Sequence, residues 1–183
     1  MNENRIRERA HGIREAIEIA AERSGRPGSD VLVLPVTKGH PPAVVVAVAA
    51  AGFEAIGENR VAEAEAKLEV GGRAGLRWHM IGHLQRNKAG RAVEAFDAIE
   101  SVDSVRLGAR LQLEAERTNR ADVPILVQVN AGGEEQKSGL NPAETVDAVG
   151  ALLELGRIRV QGLMAMAPLT KDERVLRRTF AQV

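Results

Sequence analysis

The chain has 183 residues, 44% of them hydrophobic, and 25 Lys and Arg against 25 Asp and Glu, for a net charge of zero. That length suits one globular domain with a sizeable core, and the lack of a basic excess argues against a nucleic-acid or anionic-membrane partner. There is no cysteine, which excludes disulfides, Cys-ligated zinc and thiol catalysis and points to a reducing cytoplasm.

In chain order, Ile6, Ile13, Ile17, Ala20 and Ala21 recur at helical spacing until Gly25-Arg-Pro-Gly28 stops the pattern. The start of this helix alternates charges around Met1-Asn-Glu-Asn-Arg and has no apolar core, so no signal peptide is expected. Short β-branched runs then alternate with longer Ala-rich periodic segments. The expected strands are residues 31–36, 55–56, 77–81, 98–99, 125–129 and 159–163. The expected helices between them are residues 42–51, 61–69, 85–95, 104–117 and 142–155, with a last helix starting near Lys171. Apolar stretches such as residues 43–51 are too short to span a bilayer. Gly71-Gly-Arg-Ala-Gly75 reads as a surface loop.

Six βα units in succession imply a parallel sheet, because parallel neighbours need a crossover helix. A barrel is preferred over an open doubly wound sheet. Polar residues follow nearly every strand rather than a single switch point: Asn59, Gly82-His83, Ser101-Val-Asp103, Asn130 and Met164. The expected fold class is therefore α/β, a (β/α)8 TIM barrel truncated to about six βα units. On this reading the chain is a single domain over residues 1–183 with C-terminal strands missing, and the gene product is longer.

Lys38 ends the apolar run 31–37, where a buried strand would reach the surface. In α/β barrels that end of a strand carries the chemistry. A lysine partly stripped of water there has a lowered pKa, and its neutral amine can attack an aldehyde. The plain alternative is a solvated lysine capping a strand. Asn59, within Gly57-Glu-Asn-Arg-Val-Ala-Glu63, can cap the following helix and also orient a ligand. His79 and His83 are four residues apart, but Gly82 between them and the missing carboxylate argue against a helical metal site. Trp78 is read as core packing. Lys137-Ser138 is no P-loop, since Gln136 stands where glycine must precede the lysine, and Lys137 is expected to be solvated or paired with Glu134. Met164 and Met166 suit either contact with a flat ring or adaptable packing.

Taken in order, Thr37-Lys38, Gly57-Glu-Asn59, His79-Met-Ile-Gly-His-Leu-Gln-Arg-Asn-Lys88, Ser101-Val-Asp103, Gln128-Val-Asn130, Lys137-Ser-Gly139 and Gly162-Leu-Met164 resemble the YggS/PROSC family of pyridoxal phosphate homeostasis proteins. The resemblance runs from the first strand to Pro168. It implies a barrel of the alanine racemase N-terminal type. It implies pyridoxal 5′-phosphate (PLP) held as a Schiff base on Lys38, with Asn59, His79 and Met164 also binding the cofactor, no metal and no catalytic residue. It further implies a role in cytoplasmic PLP homeostasis without turnover. The family's Ser-Met-Gly-Met-Ser and Arg-Ile-Gly stretches, which supply most of the phosphate grip, do not occur in these residues, so ready exchange of the cofactor is expected. Expected partners are PLP, apo-PLP enzymes and amino acids, with no nucleic acid, no membrane and a monomeric state. The alternative function is a PLP-dependent amino-acid racemase. Racemisation on this fold uses a lysine and a tyrosine, and the chain has no tyrosine, although His79 or His83 could stand in. A cofactor-free scaffold would require Lys38 to be an ordinary surface lysine.

Overall fold

The computed structural model describes residues 3–133 and 138–183. The expected Lys137–Glu134 pair lies outside the described residues. The chain divides into two compact units, residues 1–58 with 62–78, and residues 59–61 with 79–183.

The first unit opens with α1 (Glu3–Arg23), followed by α2 (Ala43–Ala50), β1 (Ala55–Glu58) and α3 (Val61–Gly71). The α2 run, Ala-Val-Val-Val-Ala-Val-Ala-Ala, is rich in β-branched residues that disfavour helix. Packing overrides that preference: Val44, Val45 and Val48 are buried. Two arginines of α1 serve the C-terminal end of α2, whose last carbonyls lack partners within the helix. Arg7 Nη2 donates to Ala50 O at 2.6 Å and Arg14 Nη2 to Gly52 O at 3.4 Å.

The strand expected at residues 31–36 does not form. Only Val36 pairs, through one parallel bridge to Gly57. Two hydrogen bonds hold it, Thr37 N–H to Gly57 O at 3.1 Å and Gly57 N–H to Pro35 O at 2.8 Å. The run has the composition of a strand, but Pro35 has no N–H to give and Leu32 is 55% exposed. Trp78 is fully buried, and its Nε1 donates to Arg73 O, so the core reading holds. The Gly71–Gly75 segment is exposed as expected, although Gly71 itself closes α3.

The second unit is a run of parallel βα repeats. β2 (Arg77–Met80) enters it at His79 and pairs with β3 (Ala98–Val102), which pairs with β4 (Val123–Val129), which pairs with β5 (Ile158–Ala165). All three pairings are parallel. The helices between are α4 (Ala89–Ala95), α5 (Val105–Arg117) and α6 (Pro142–Leu153), and α7 (Glu173–Phe180) follows β5. α4 is shorter than expected because residues 86–88 form a 3₁₀ turn first. Between Ile125↔Val160 and Leu126↔Gly162 the register shifts, leaving Gln161 as an extra residue on β5. Phe96, Ile99, Leu107, Leu111, Ile125 and Leu152 are buried in this unit. Consecutive parallel strands joined by helices are the expected α/β barrel architecture, and the residue 31–36 segment contributes a bridge where a sixth strand was counted.

Arg120 ties the helix ends of this unit together. Its guanidinium donates to Val93 O and Phe96 O at 2.6 Å, to Asp97 O at 2.9 Å and to Asp122 O at 2.8 Å. On α5, Arg117 Nε donates to Glu114 at 2.8 Å and Arg110 pairs with the same carboxylate. The Arg117 hydrogen bond, helped by the charge of Arg110, holds the Glu114 carboxyl below its ordinary range against the opposing effect of burial. A carboxyl depressed in the fold stabilises above its unfolded pKa, and that stability disappears as pH falls through the folded value. Thermal melts of Glu114→Gln and the parent should therefore differ most at neutral pH and converge in acid.

Candidate functional site

In the first unit the chemistry gathers around Lys38. Residues 37–40 form a turn in which His40 N–H donates to Thr37 O at 3.2 Å. Gly39 sits at φ +72°, the positive value that the third residue of a type II turn takes. Lys38 is therefore a turn corner, and its side chain is exposed. The loss of water expected at a strand end is not supplied here, because a corner residue projects away from the chain on both sides. Thr37, one residue earlier, is 1% exposed.

Behind the corner lies a buried charged cluster. Lys67 on α3 is 2% exposed. Its Nζ donates to Thr37 O at 2.7 Å, to Glu58 Oε1 at 2.5 Å and to Glu63 Oε1 at 2.9 Å. Thr37 Oγ1 donates to the same Glu58 oxygen at 2.5 Å, and Gly39 N–H donates to Glu63 Oε1 at 2.6 Å. Glu58 is fully buried, and its Oε2 has no hydrogen-bond partner among the described residues. The sequence reading missed this cluster. Its one signal was Glu63 and Lys67 at i, i+4 on a helix, which ordinarily marks a solvated pair.

In the second unit, His79 is 9% exposed and its Nδ1 lies 2.6 Å from Glu100 Oε1 on β3. That contact fixes the orientation of the ring. Glu100 was not foreseen, because the register His79↔Ala98 that brings it alongside is invisible in sequence. Ser101, the next residue, is fully buried and its Oγ has no partner among the described residues. His83 is more than half exposed and takes different partners from His79: Asp103 Oδ2 at 3.2 Å and Ser138 Oγ at 3.1 Å, both from Nδ1. The two histidines thus have separate carboxylates.

The loop after β4 is fastened to it. Leu140 N–H donates to Gln128 O at 2.8 Å, Asn130 N–H to Leu140 O at 2.9 Å, and Gln128 Nε2 to Ser138 O at 3.0 Å. Met164 pairs in register with Gln128 and is half-buried, whereas Met166 is 56% exposed and packs no core. Asn59 is half-buried, and α3 begins at Val61, so Arg60 and not Asn59 directly precedes the helix. The backbone of Asn59 instead abuts Gly82: a Cβ on Gly82 would lie 2.3 Å from Asn59 O. Asn59, His79 and Met164 belong to the second unit, and Lys38 to the first.

Comparison with known proteins agrees with this architecture. Residues 11–183 match the family model described as alanine racemase, N-terminal domain. The pyridoxal phosphate homeostasis protein of Escherichia coli (strain K12) is 36% identical over 169 residues, which are 89% of this chain and 70% of that protein. Among solved structures, one described as an unknown protein from Bifidobacterium adolescentis is 34% identical with a TM-score of 0.89, covering 98% of this chain and 76% of that one. PipY of Synechococcus elongatus PCC7942, solved with PLP bound, is 38% identical with a TM-score of 0.76, covering 90% of this chain and 76% of that one. With identities above a third over most of both chains and a barrel-type run of parallel βα units, this chain belongs to the pyridoxal phosphate homeostasis protein family, built on the alanine racemase N-terminal domain.

Proposed function

We propose that the chain is a single-domain, cytoplasmic PLP-binding protein that acts in PLP homeostasis without turnover. In this reading Lys38 would hold the cofactor as a Schiff base, its Nζ supplying the amine that condenses with the aldehyde with loss of water. Asn59, His79 and Met164 are the further residues assigned to the cofactor. Family membership supports the reading, together with the PLP-bound relative. The observation that carries it to a residue is the Lys38 turn. What sets this exposed amine apart from an ordinary surface lysine is its corner, whose two neighbours are held by the buried Lys67 and the partly exposed Glu63, so an aldehyde can reach it without the backbone having to move. The residues also suit the group, since Glu100 fixes the orientation of the His79 ring, leaving Nε2 as a polar atom with which to meet a ligand. Among the described residues no helix is long and apolar enough to cross a membrane.

Mixing the protein with PLP should give a visible absorption band that borohydride bleaches, and peptide mapping should place the pyridoxyl group on Lys38. Lys38→Ala should abolish that adduct. D-alanine formed from L-alanine should not exceed that formed by free PLP. An adduct unaffected by Lys38→Ala would overturn the assignment, and turnover that Lys38→Ala removes would favour the racemase alternative.

A further inference from the structure

Resting on the reading of Lys38 above, we infer that Glu63, Lys67 and Glu58 form a clamp that presents the Lys38 amine, with Glu63 as its outer jaw and a positioning residue for cofactor capture. The contacts are arranged on both sides of Lys38 and leave Lys38 itself untouched. On the N-terminal side, Thr37 is gripped twice, through its carbonyl by Lys67 and through its hydroxyl by Glu58. On the C-terminal side, the Gly39 amide is gripped by Glu63. Lys67 joins the two grips, because it donates to Glu58 and Glu63 as well as to Thr37 O.

A packing role alone would not call for this chemistry. A buried carboxylate and ammonium, with a second carboxylate only partly exposed, are costly to desolvate, and apolar residues of similar volume would fill the space at least as well. What charged groups add is direction. Charge-assisted bonds to one amide, one hydroxyl and one carbonyl fix the peptide planes before and after Lys38. The Lys38 side chain has many rotamers, and fixing its Cα–Cβ vector lowers the entropy lost when the amine is captured by a bound aldehyde.

Glu63 separates the clamp from the fold, because its side chain is 27% exposed and its loss leaves the buried Lys67–Glu58 pair in place. Glu63→Gln and Glu63→Ala should melt close to the parent. In Glu63→Ala, exchange of the Gly39 amide in the cofactor-free protein should rise by more than about tenfold, the value of one hydrogen bond to a charged group, and in Glu63→Gln, whose amide oxygen can still accept, by less. The yield of borohydride-fixed pyridoxyl adduct on Lys38 at limiting PLP should fall several-fold, with Glu63→Ala the more affected. Unchanged Gly39 exchange in Glu63→Ala would overturn the clamp. Faster exchange with an undiminished Lys38 adduct would overturn its role in presenting the amine. If the parent forms no adduct on Lys38, the PLP reading fails and the presentation role falls with it, while the exchange measurement still decides whether Glu63 holds the turn.

Discussion

Lys67→Met should lower the melting temperature by about 10 °C or more, and it should do so with little dependence on salt. Methionine matches the aliphatic stem of lysine, so the packing of α3 is kept and the charge alone is removed. Glu58, fully buried, then lies on the Thr37 corner without the ammonium it pairs with, and Glu63, a quarter exposed, loses its bond from Lys67. Breaking a buried pair from one side typically costs about 3–5 kcal/mol, because the remaining charge stays desolvated and unpaired. In a domain of this size each kcal/mol moves the midpoint by roughly 2–4 °C. Screening hardly acts on charges that solvent does not reach, so high salt should not rescue the variant. The companion test is Lys67→Met with Glu58→Gln. Removing the stranded carboxylate should return a substantial part of the loss, giving a coupling energy on the order of 1–3 kcal/mol in a double-mutant cycle. A Lys67→Met protein that melts with the parent would show that the cluster is hydrated and worth no more than a surface pair.

The same cluster shows where sequence reading reached its limit. Helices were legible wherever local signals agreed. The first turn of α5 has Ser104 as its N-cap, accepting from Leu107 N–H, and Leu107 and Leu111 lie buried four residues apart. α6 starts with Asn141 capping and Pro142 at its first position, a pattern readable from the letters alone. The run at residues 31–36 looked like the clearest strand in the chain and is the one that failed. β-propensity reports a fit to a pleated surface, but a strand exists only through its ladder, and this run finds a single bridge. At the candidate site, the place of Lys38 after an apolar run was legible, and its role there is the proposal above. Its exposure was not legible, because the positive φ of Gly39 turns the chain one residue later than a strand end would. Lys67 gave no hint of burial, since a lysine on an Ala- and Glu-rich helix normally lies in solvent. Glu100 was hidden for a different reason: it sits 21 residues from His79, and only the β2–β3 register brings the two together.

Gly82→Ala should cost about 3 kcal/mol and lower the melting temperature by roughly 10 °C, and the cause is space rather than backbone conformation. The two effects usually attributed to glycine separate cleanly here. Gly82 is not among the positive-φ residues, so an L-residue could adopt its dihedrals. What excludes a methyl group is the Asn59 backbone. The added Cβ would stand 2.3 Å from Asn59 O, 2.8 Å from its Cα and 2.9 Å from its carbonyl carbon. All three are main-chain atoms, so no rotamer change relieves the clash, and either Asn59 or the 81–83 segment must shift. Gly150→Ala in α6 is the matched control, because nothing lies within 4 Å of its added Cβ. That change should leave stability unaltered or raise it by about 0.5–1 kcal/mol through the helix preference for alanine. The displacement also has a functional reading that can be measured apart from stability. Asn59 follows directly on Glu58, the inner jaw of the clamp, so moving its backbone should disturb Thr37 and Gly39 amide exchange at temperatures where the variant is still fully folded. Equal melting of Gly82→Ala and parent would mean that the 59–82 approach yields readily to a methyl group and that this glycine is dispensable.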